Sequence, residues 1–255
     1  MKIPFELKLG ILSTLAEILQ ILLFPILHYQ GNKVKKNAKI LPEAVGKRFG
    51  NSGNGKAINA LILGDSSACG VGVKSIKDSL SGYLLMFLKH EFNCHWKILA
   101  KSGIKTVELT DQVRTITHEK FDFIILAVGV NDMPARKSAH NWYKDILELI
   151  QILRNDLKAP QIICCGIPPV RKITIFPFPL KQLLSFKAFI YDLCLKKICK
   201  RLKGVHFVPH NFPVNKDTMA EDHLHPGKHQ LESCLRINLY FQALLKCLFF
   251  FFACR

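Results

Sequence analysis

Ser66, Asp222 and His225 are residue types that can carry nucleophilic acyl chemistry, and the spacing of the last two fits that role. A serine hydroxyl attacks a carbonyl carbon only when a base takes its proton, and imidazole is the side chain matched to that task near neutral pH. A carboxylate three residues before the histidine can reach Nδ1 within one turn, fixing the tautomer and leaving Nε2 for the hydroxyl. The attack also builds an oxyanion, which needs preorganised donors. The backbone N–H of Ser66, the backbone N–H of Gly103 in AKSGIKT and the side-chain amide of Asn131 in GVND are available for it. Each group also has a plainer use. Asp65, Ser66 or Asn131 can cap a helix, and Gly103 can end a strand. The D-x-x-H spacing is common in a chain with ten histidines. Ser67 and His223 are the nearest rivals as nucleophile and base. Asp222, His223, His225 and His229 can be read as a metal cluster, but no helical H-x-x-x-H with a catalytic glutamate accompanies them.

The elements that must position these residues follow from hydrophobic periodicity. Short apolar runs at 58–63, 96–100, 121–128, 161–165 and 205–209 predict five strands. Amphipathic stretches near 79–91, 106–118, 141–156 and 181–202 predict the intervening helices. Near-continuous apolar strands separated by helices predict an α/β fold, a three-layer α/β/α sandwich around a five-stranded, mostly parallel sheet. Ligands bind such sheets outside the carboxyl ends of the strands. Gly64-Asp65-Ser66, Ser102-Gly103, Asn131-Asp132 and Pro168-Pro169 all follow predicted strands, and Asp222 to His225 lie downstream of the fifth. The polar groups therefore converge on one rim. Asp132 is expected to hold the Asn131 loop, and Asp65 to bond loop amides. The proline-rich stretch 167–180 is either a rigid loop or one wall of a substrate pocket.

These blocks resemble the SGNH hydrolases, the GDSL-type esterases and lipases. Gly64-Asp65-Ser66 matches the first block, Gly103 the glycine block, Gly129-Val130-Asn131-Asp132 the asparagine block, and Asp222 to His225 the last, all in family order. The resemblance implies a flavodoxin-like sheet, a Ser66–His225–Asp222 triad and an oxyanion hole from Ser66, Gly103 and Asn131. It implies no metal or organic cofactor. Ser67 departs from the leucine of the family name, and PGKHQLESCLRIN after His225 lacks an aromatic-rich run. The implied activity is ester hydrolysis through an acyl-enzyme. Acyl-lipid or lysophospholipid-like substrates are expected from the apolar ends and basic charge. Deacylation of glycans, thioester hydrolysis and acyl transfer are the enzymatic alternatives. A membrane-associated binding protein with a degenerate site is the non-enzymatic one.

The rest of the chain bears on partners and location. At 255 residues and 49% hydrophobic content it has room for one sizeable core, and disorder is excluded. A net charge of +17, partly concentrated in Lys33, Lys35, Lys36, Lys39, Lys47 and Arg48, favours anionic partners. No common nucleic-acid-binding motif accompanies it, so an anionic membrane surface is the expected partner. Nine cysteines without CxxC or zinc-like spacing suit a reducing compartment. Residues 9–27 are strongly apolar, yet Gly10, Ser13, Thr14, Glu17 and Gln20 recur as a polar stripe on a helix. The segment fits an interfacial anchor, a helix packed on its own domain, or a span with the domain on the cytoplasmic side. The expected organisation is an N-terminal helix over 1–30, a basic linker over 31–56, a hydrolase domain over 57–240 and an apolar tail over 241–255.

Overall fold

The computed structural model describes residues 3–210, 214 and 217–228. The predicted tail over 241–255 and His229 lie outside the described residues. The chain begins with two helices, α1 (Phe5–Leu22) and α2 (Phe24–Asn37), followed by a short strand β1 (Phe49–Ser52). The α/β alternation then runs β2 (Lys56–Gly64), α3 (Ser66–Cys69), α4 (Leu80–Glu91), β3 (Phe92–Ala100), α5 (Thr106–Arg114) and β4 (Phe123–Ala127). It continues with α6 (Ala139–Asn155), β5 (Gln161–Cys165), α7 (Leu180–Arg201) and β6 (Val205–Val208).

The five predicted strands are β2 to β6, all parallel, in the order β3-β2-β4-β5-β6. Among the described residues the sheet has six strands rather than five, because β1 pairs antiparallel with β3 at the edge. Its sequence, FGNS, carries no apolar alternation, so only backbone pairing defines it. The expected linker over 31–56 is also more structured than its composition implied, since α2 runs to Asn37 and β1 falls inside it.

Alternation along β2 divides the interior. Ile58, Ala60 and Ile62 face a layer containing Leu84, Leu85 and Leu88 of α4. Leu61 and Leu63 face the larger layer of α5, α6 and α7, with Leu9 and Ala16 of α1 packed on its outside. Burying each large aliphatic side chain contributes about 1.5–3 kcal/mol. Because β3 flanks β2 on one side and β4 on the other, the chain reverses its direction of travel beside β2. The crevice this creates opens at the carboxyl end of β2. Among the described residues no single helix is long and apolar enough to cross a membrane. Helices α1 and α2 reach that length and composition only together, and they are bent by 81°.

Candidate active site

Strand β2 ends at Gly64, and Asp65 turns the chain. Its backbone N–H donates to Ala127 O at 3.1 Å, and its Oδ1 accepts from Ser67 N at 3.1 Å. This is the amide-bonding role expected for it. The carboxyl is buried, and burial pushes its pKa up to about 6. Ser66 opens the single-turn helix α3, which ends at Gly70 with φ +74°. Gly72, at φ +101°, has the Pro226 carbonyl 2.7 Å and His225 Cβ 3.3 Å from where its own Cβ would stand. A side chain there would push the histidine segment away from Ser66.

That segment is held by backbone bonds of its own. Ala220 N donates to His225 O at 2.8 Å, and Gly227 N to Thr218 O at 2.9 Å. Inside the loop, Asp222 Oδ1 accepts from the backbone N–H groups of Leu224 and His225, both at 3.0 Å. Asp222 Oδ2 lies 2.5 Å from His225 Nδ1, and His225 Nε2 lies 2.9 Å from Ser66 Oγ. An ionised carboxylate only accepts, so Nδ1 carries the proton and Nε2 accepts from the serine hydroxyl. Burial works to raise the Asp222 pKa. The bond from His225 Nδ1 and the two backbone N–H groups outweigh it and hold the carboxyl below its usual value. Of the two candidate histidines, His225 meets Ser66, whereas His223 is exposed.

The two other loops are tied to each other. Asn131 sits in a one-turn 3-10 helix, and its Nδ2 donates to Ile104 O at 3.1 Å, which fixes the amide. Asp132 accepts from Thr106 N at 3.1 Å and Thr106 Oγ1 at 2.8 Å. Thr106 Oγ1 in turn accepts from Trp142 Nε1 at 2.9 Å. This buried chain locks the Asn131 turn to the start of α5, three residues after Gly103. Asp132 thus holds the loop, as expected. Gly103 is exposed at φ +78°, with open space where a Cβ would stand.

Ser66, Asn131 and His225 open onto one cavity of about 270 Å³ whose wall is largely apolar. Pro168, Pro169, Val170, Ile173 and Phe176 line it, so the proline-rich stretch is a wall of this cavity. Gly103 is outside its lining. Two contributions were not anticipated from the residues. Val34, Lys35 and Ala38, from the end of α2 and just beyond it, form another part of the wall. His210, which follows β6 at the same sheet end as the other loops, is the second; burial lowers its pKa to about 3, so it stays neutral. Its position after the fifth parallel strand was the one signal available for it. Among the described residues, no group of three or more His, Cys, Asp or Glu side chains is arranged to hold a metal ion.

The GDSL-like lipase/acylhydrolase family profile matches residues 62–229, from within β2 to beyond His225. The chain belongs to that family. As a GDSL-like protein it is an enzyme that hydrolyses ester bonds. Its fold is shared by solved structures at low identity. A Clostridium thermocellum family 3 carbohydrate esterase superposes with a TM-score of 0.60 and 16% identity, over 76% of this chain and 99% of that one. The psychrotrophic esterase EstA from Pseudoalteromonas sp. gives 0.56 and 14%, over 74% and 98%. TesA gives 0.55 and 15%, over 71% and 95%. No curated protein sequence matches this GDSL-like chain significantly.

Proposed function

We propose that the protein hydrolyses acyl esters with an apolar, lipid-like acyl chain through an acyl-enzyme on Ser66. The observation that carries this reading is the unbroken relay from Asp222 Oδ2 through His225 to Ser66 Oγ at the wall of an apolar cavity. Ser66 Oγ attacks the ester carbonyl while its proton passes to His225 Nε2. Asp222, held ionised by its three N–H donors, stabilises the imidazolium. The backbone N–H groups of Ser66 and Gly103 and Asn131 Nδ2 are the donors assigned to the tetrahedral oxyanion. The C–O bond of the alcohol then breaks, and the leaving oxygen takes the proton from Nε2. Water repeats the sequence on the acyl-serine and releases the acid.

Removal of short acyl groups from glycans, thioester hydrolysis and acyl transfer would use the same residues. The wall built from Val34, Pro168, Val170, Ile173 and Phe176 favours a chain-bearing acyl group over acetyl, because burying each methylene is worth about 0.8 kcal/mol. A fluorophosphonate probe is expected to label the folded protein and to fail on Ser66→Ala. Across a series of p-nitrophenyl esters, kcat/KM is expected to rise with chain length beyond acetyl. No labelling refutes the serine mechanism, and a preference for acetyl refutes the acyl pocket.

A further inference from the structure

Helix α1 is attached to the domain by a mixed face on which Leu9 and Ala16 alternate with Ser13 and Gln20. At 100° per residue, Leu7, Ile11, Leu15, Ile18 and Leu22 fall on one stripe, while Leu9, Ser13, Ala16 and Gln20 fall on the opposite one. In an ordinary surface helix the aliphatic stripe would face the core. Here Ser13 is 3% exposed, whereas Ile11 is 55% and Leu22 71% exposed. Leu9 and Ala16 pack on the core, and the polar groups of the same face are hydrogen-bonded. Ser13 Oγ donates to Glu17 one turn on in α1 at 2.9 Å and accepts from His140 N of α6 at 3.3 Å. Gln20 Oε1 accepts from the buried Lys187 Nζ at 3.1 Å, and that ammonium also donates to Ala135 O at 3.0 Å. His140 at the start of α6, Lys187 on α7 and Ala135 in the loop between β4 and α6 fix the roll of α1 together with the buried Leu9 and Ala16, and leave the stripe of Leu7, Ile11, Leu15, Ile18 and Leu22 facing outward.

The outward face continues round the bend. Ile26 and Tyr29 of α2 are exposed, and Gln30 clamps α2 to the start of α7, donating to Phe178 O at 2.7 Å and accepting from Leu180 N at 3.2 Å. Val34 and Ala38 then reach the cavity itself. Cations bracket the apolar stripe. Lys8, Lys196, Lys197 and Lys200 line a groove between α1 and α7, and Lys33, Lys35 and Lys36 follow on α2. Contiguous exposed aliphatic surface of this kind is rare on soluble monomers. Flanked by lysines, it matches an interfacial helix on an anionic bilayer, where apolar burial and headgroup attraction add.

We infer that α1 and the first turns of α2 are a preformed docking surface for an anionic lipid bilayer, oriented so that the cavity beside Ser66 opens at the membrane. Docking itself is independent of the chemistry at Ser66. Delivery of a membrane-borne ester along α2 rests on the ester-hydrolase reading above.

The test uses the full chain, sedimented with vesicles of phosphatidylcholine alone and of phosphatidylcholine mixed with phosphatidylglycerol. Wild-type protein is expected to sediment with the mixed vesicles and to be released by salt. Ile11→Asp/Ile18→Asp alters only exposed positions, and it is expected to weaken that binding about tenfold or more. Its hydrolysis of a soluble short-chain ester is expected to match wild type, which also reports that it is folded. Lys33→Glu/Lys36→Glu removes flanking cations and leaves the aliphatic stripe itself intact, and it is expected to weaken binding to the mixed vesicles only. Binding that survives both double substitutions overturns the proposal, as does equal binding to both vesicle types. A wild-type protein that ignores vesicles but dimerises through this face, becoming monomeric as Ile11→Asp/Ile18→Asp, also overturns it and assigns the face to a second copy. Vesicle binding without ester hydrolysis would instead remove the ester-hydrolase reading and leave the docking surface standing.

Discussion

Replacing Asp222 by asparagine isolates the part of the relay that sets the imidazole tautomer. The carboxylate has two tasks: Oδ1 accepts from the N–H groups of Leu224 and His225, and Oδ2 accepts from Nδ1. Asparagine has one acceptor oxygen for both. If that oxygen keeps the two backbone bonds, its NH₂ faces Nδ1, and the ring must move its proton to Nε2 to accept. Flipping the amide would restore the Nδ1 bond but set the NH₂ against two backbone donors. That sacrifices two hydrogen bonds, each worth about 0.5–1.5 kcal/mol net, and leaves their donors poorly satisfied. The first arrangement is therefore favoured, and Nε2–H then points at Ser66 Oγ with no lone pair to receive its proton. An equivalent tautomer error in a serine–histidine–aspartate site lowers kcat about 10⁴-fold, or about 5.5 kcal/mol of barrier. Steady-state hydrolysis of a soluble p-nitrophenyl ester is expected to show that loss in kcat with little change in KM. The rate of fluorophosphonate labelling is expected to fall in parallel. A folded Asp222→Asn variant within about tenfold of wild-type kcat would refute the tautomer account and the role given to this carboxylate.

The remaining predictions concern the donors and the buried acid. Asn131→Ala removes an amide held by Ile104 O, and kcat is expected to drop about 10²–10³-fold with KM nearly unchanged. A wild-type kcat would strike Asn131 from the oxyanion donors. Asp65→Asn tests the carboxyl whose pKa burial raises to about 6. Between the unfolded value of about 3.9 and about 6, the native state binds more protons than the unfolded chain, so this group lowers stability as pH rises through that window. The cost is complete above pH 6, at roughly 3 kcal/mol for about two pH units. Asparagine retains an oxygen for Ser67 N and carries no charge. Its melting temperature is expected to exceed that of wild type by several degrees at pH 7.5 and to match it near pH 4. A difference that stays constant across that range would exclude the buried charge as its cause.

The parts of the fold legible in the chain are those written in side-chain pattern. INALIL, FDFIILAV and QIICC could only be strands covered on both faces, and the glycines and short polar residues after them mark where each strand stops. Once the strands are parallel, their carboxyl ends share a rim, so the gathering of Ser66, Asn131 and His225 follows from order alone. Strand β1 was illegible for the opposite reason, since FGNS pairs by its backbone against β3 and buries little. The break before Pro25 is missed in another way. One helix is expected over 1–30, but α1 ends at Leu22 and α2 restarts at Phe24 in a new direction, with Pro25 in the first turn, where its missing N–H costs nothing. The basic residues after it then read as linker, although Val34 among them turns to the cavity.

The orientation of α1 shows where pattern stops being enough. Periodicity in residues 9–27 separates a polar stripe from an apolar face, and the default is to bury the apolar one. Which face turns inward depends on what waits there. The receiving surface offers Ala135 O and His140 N, from the loop before α6 and its first turn, and Lys187 Nζ from α7, all distant in the chain from α1. Those groups need partners once covered, because a buried ammonium or amide without a hydrogen bond costs more than an exposed leucine. Ser13 and Gln20 satisfy them, and an aliphatic stripe could not. The helix therefore keeps Leu9 and Ala16 inward beside Ser13 and Gln20 and rolls Leu7, Ile11, Leu15, Ile18 and Leu22 outward, for a reason set by tertiary structure. The apolar face that a local reading would assign to the core is left as the surface on which α1 can meet a bilayer.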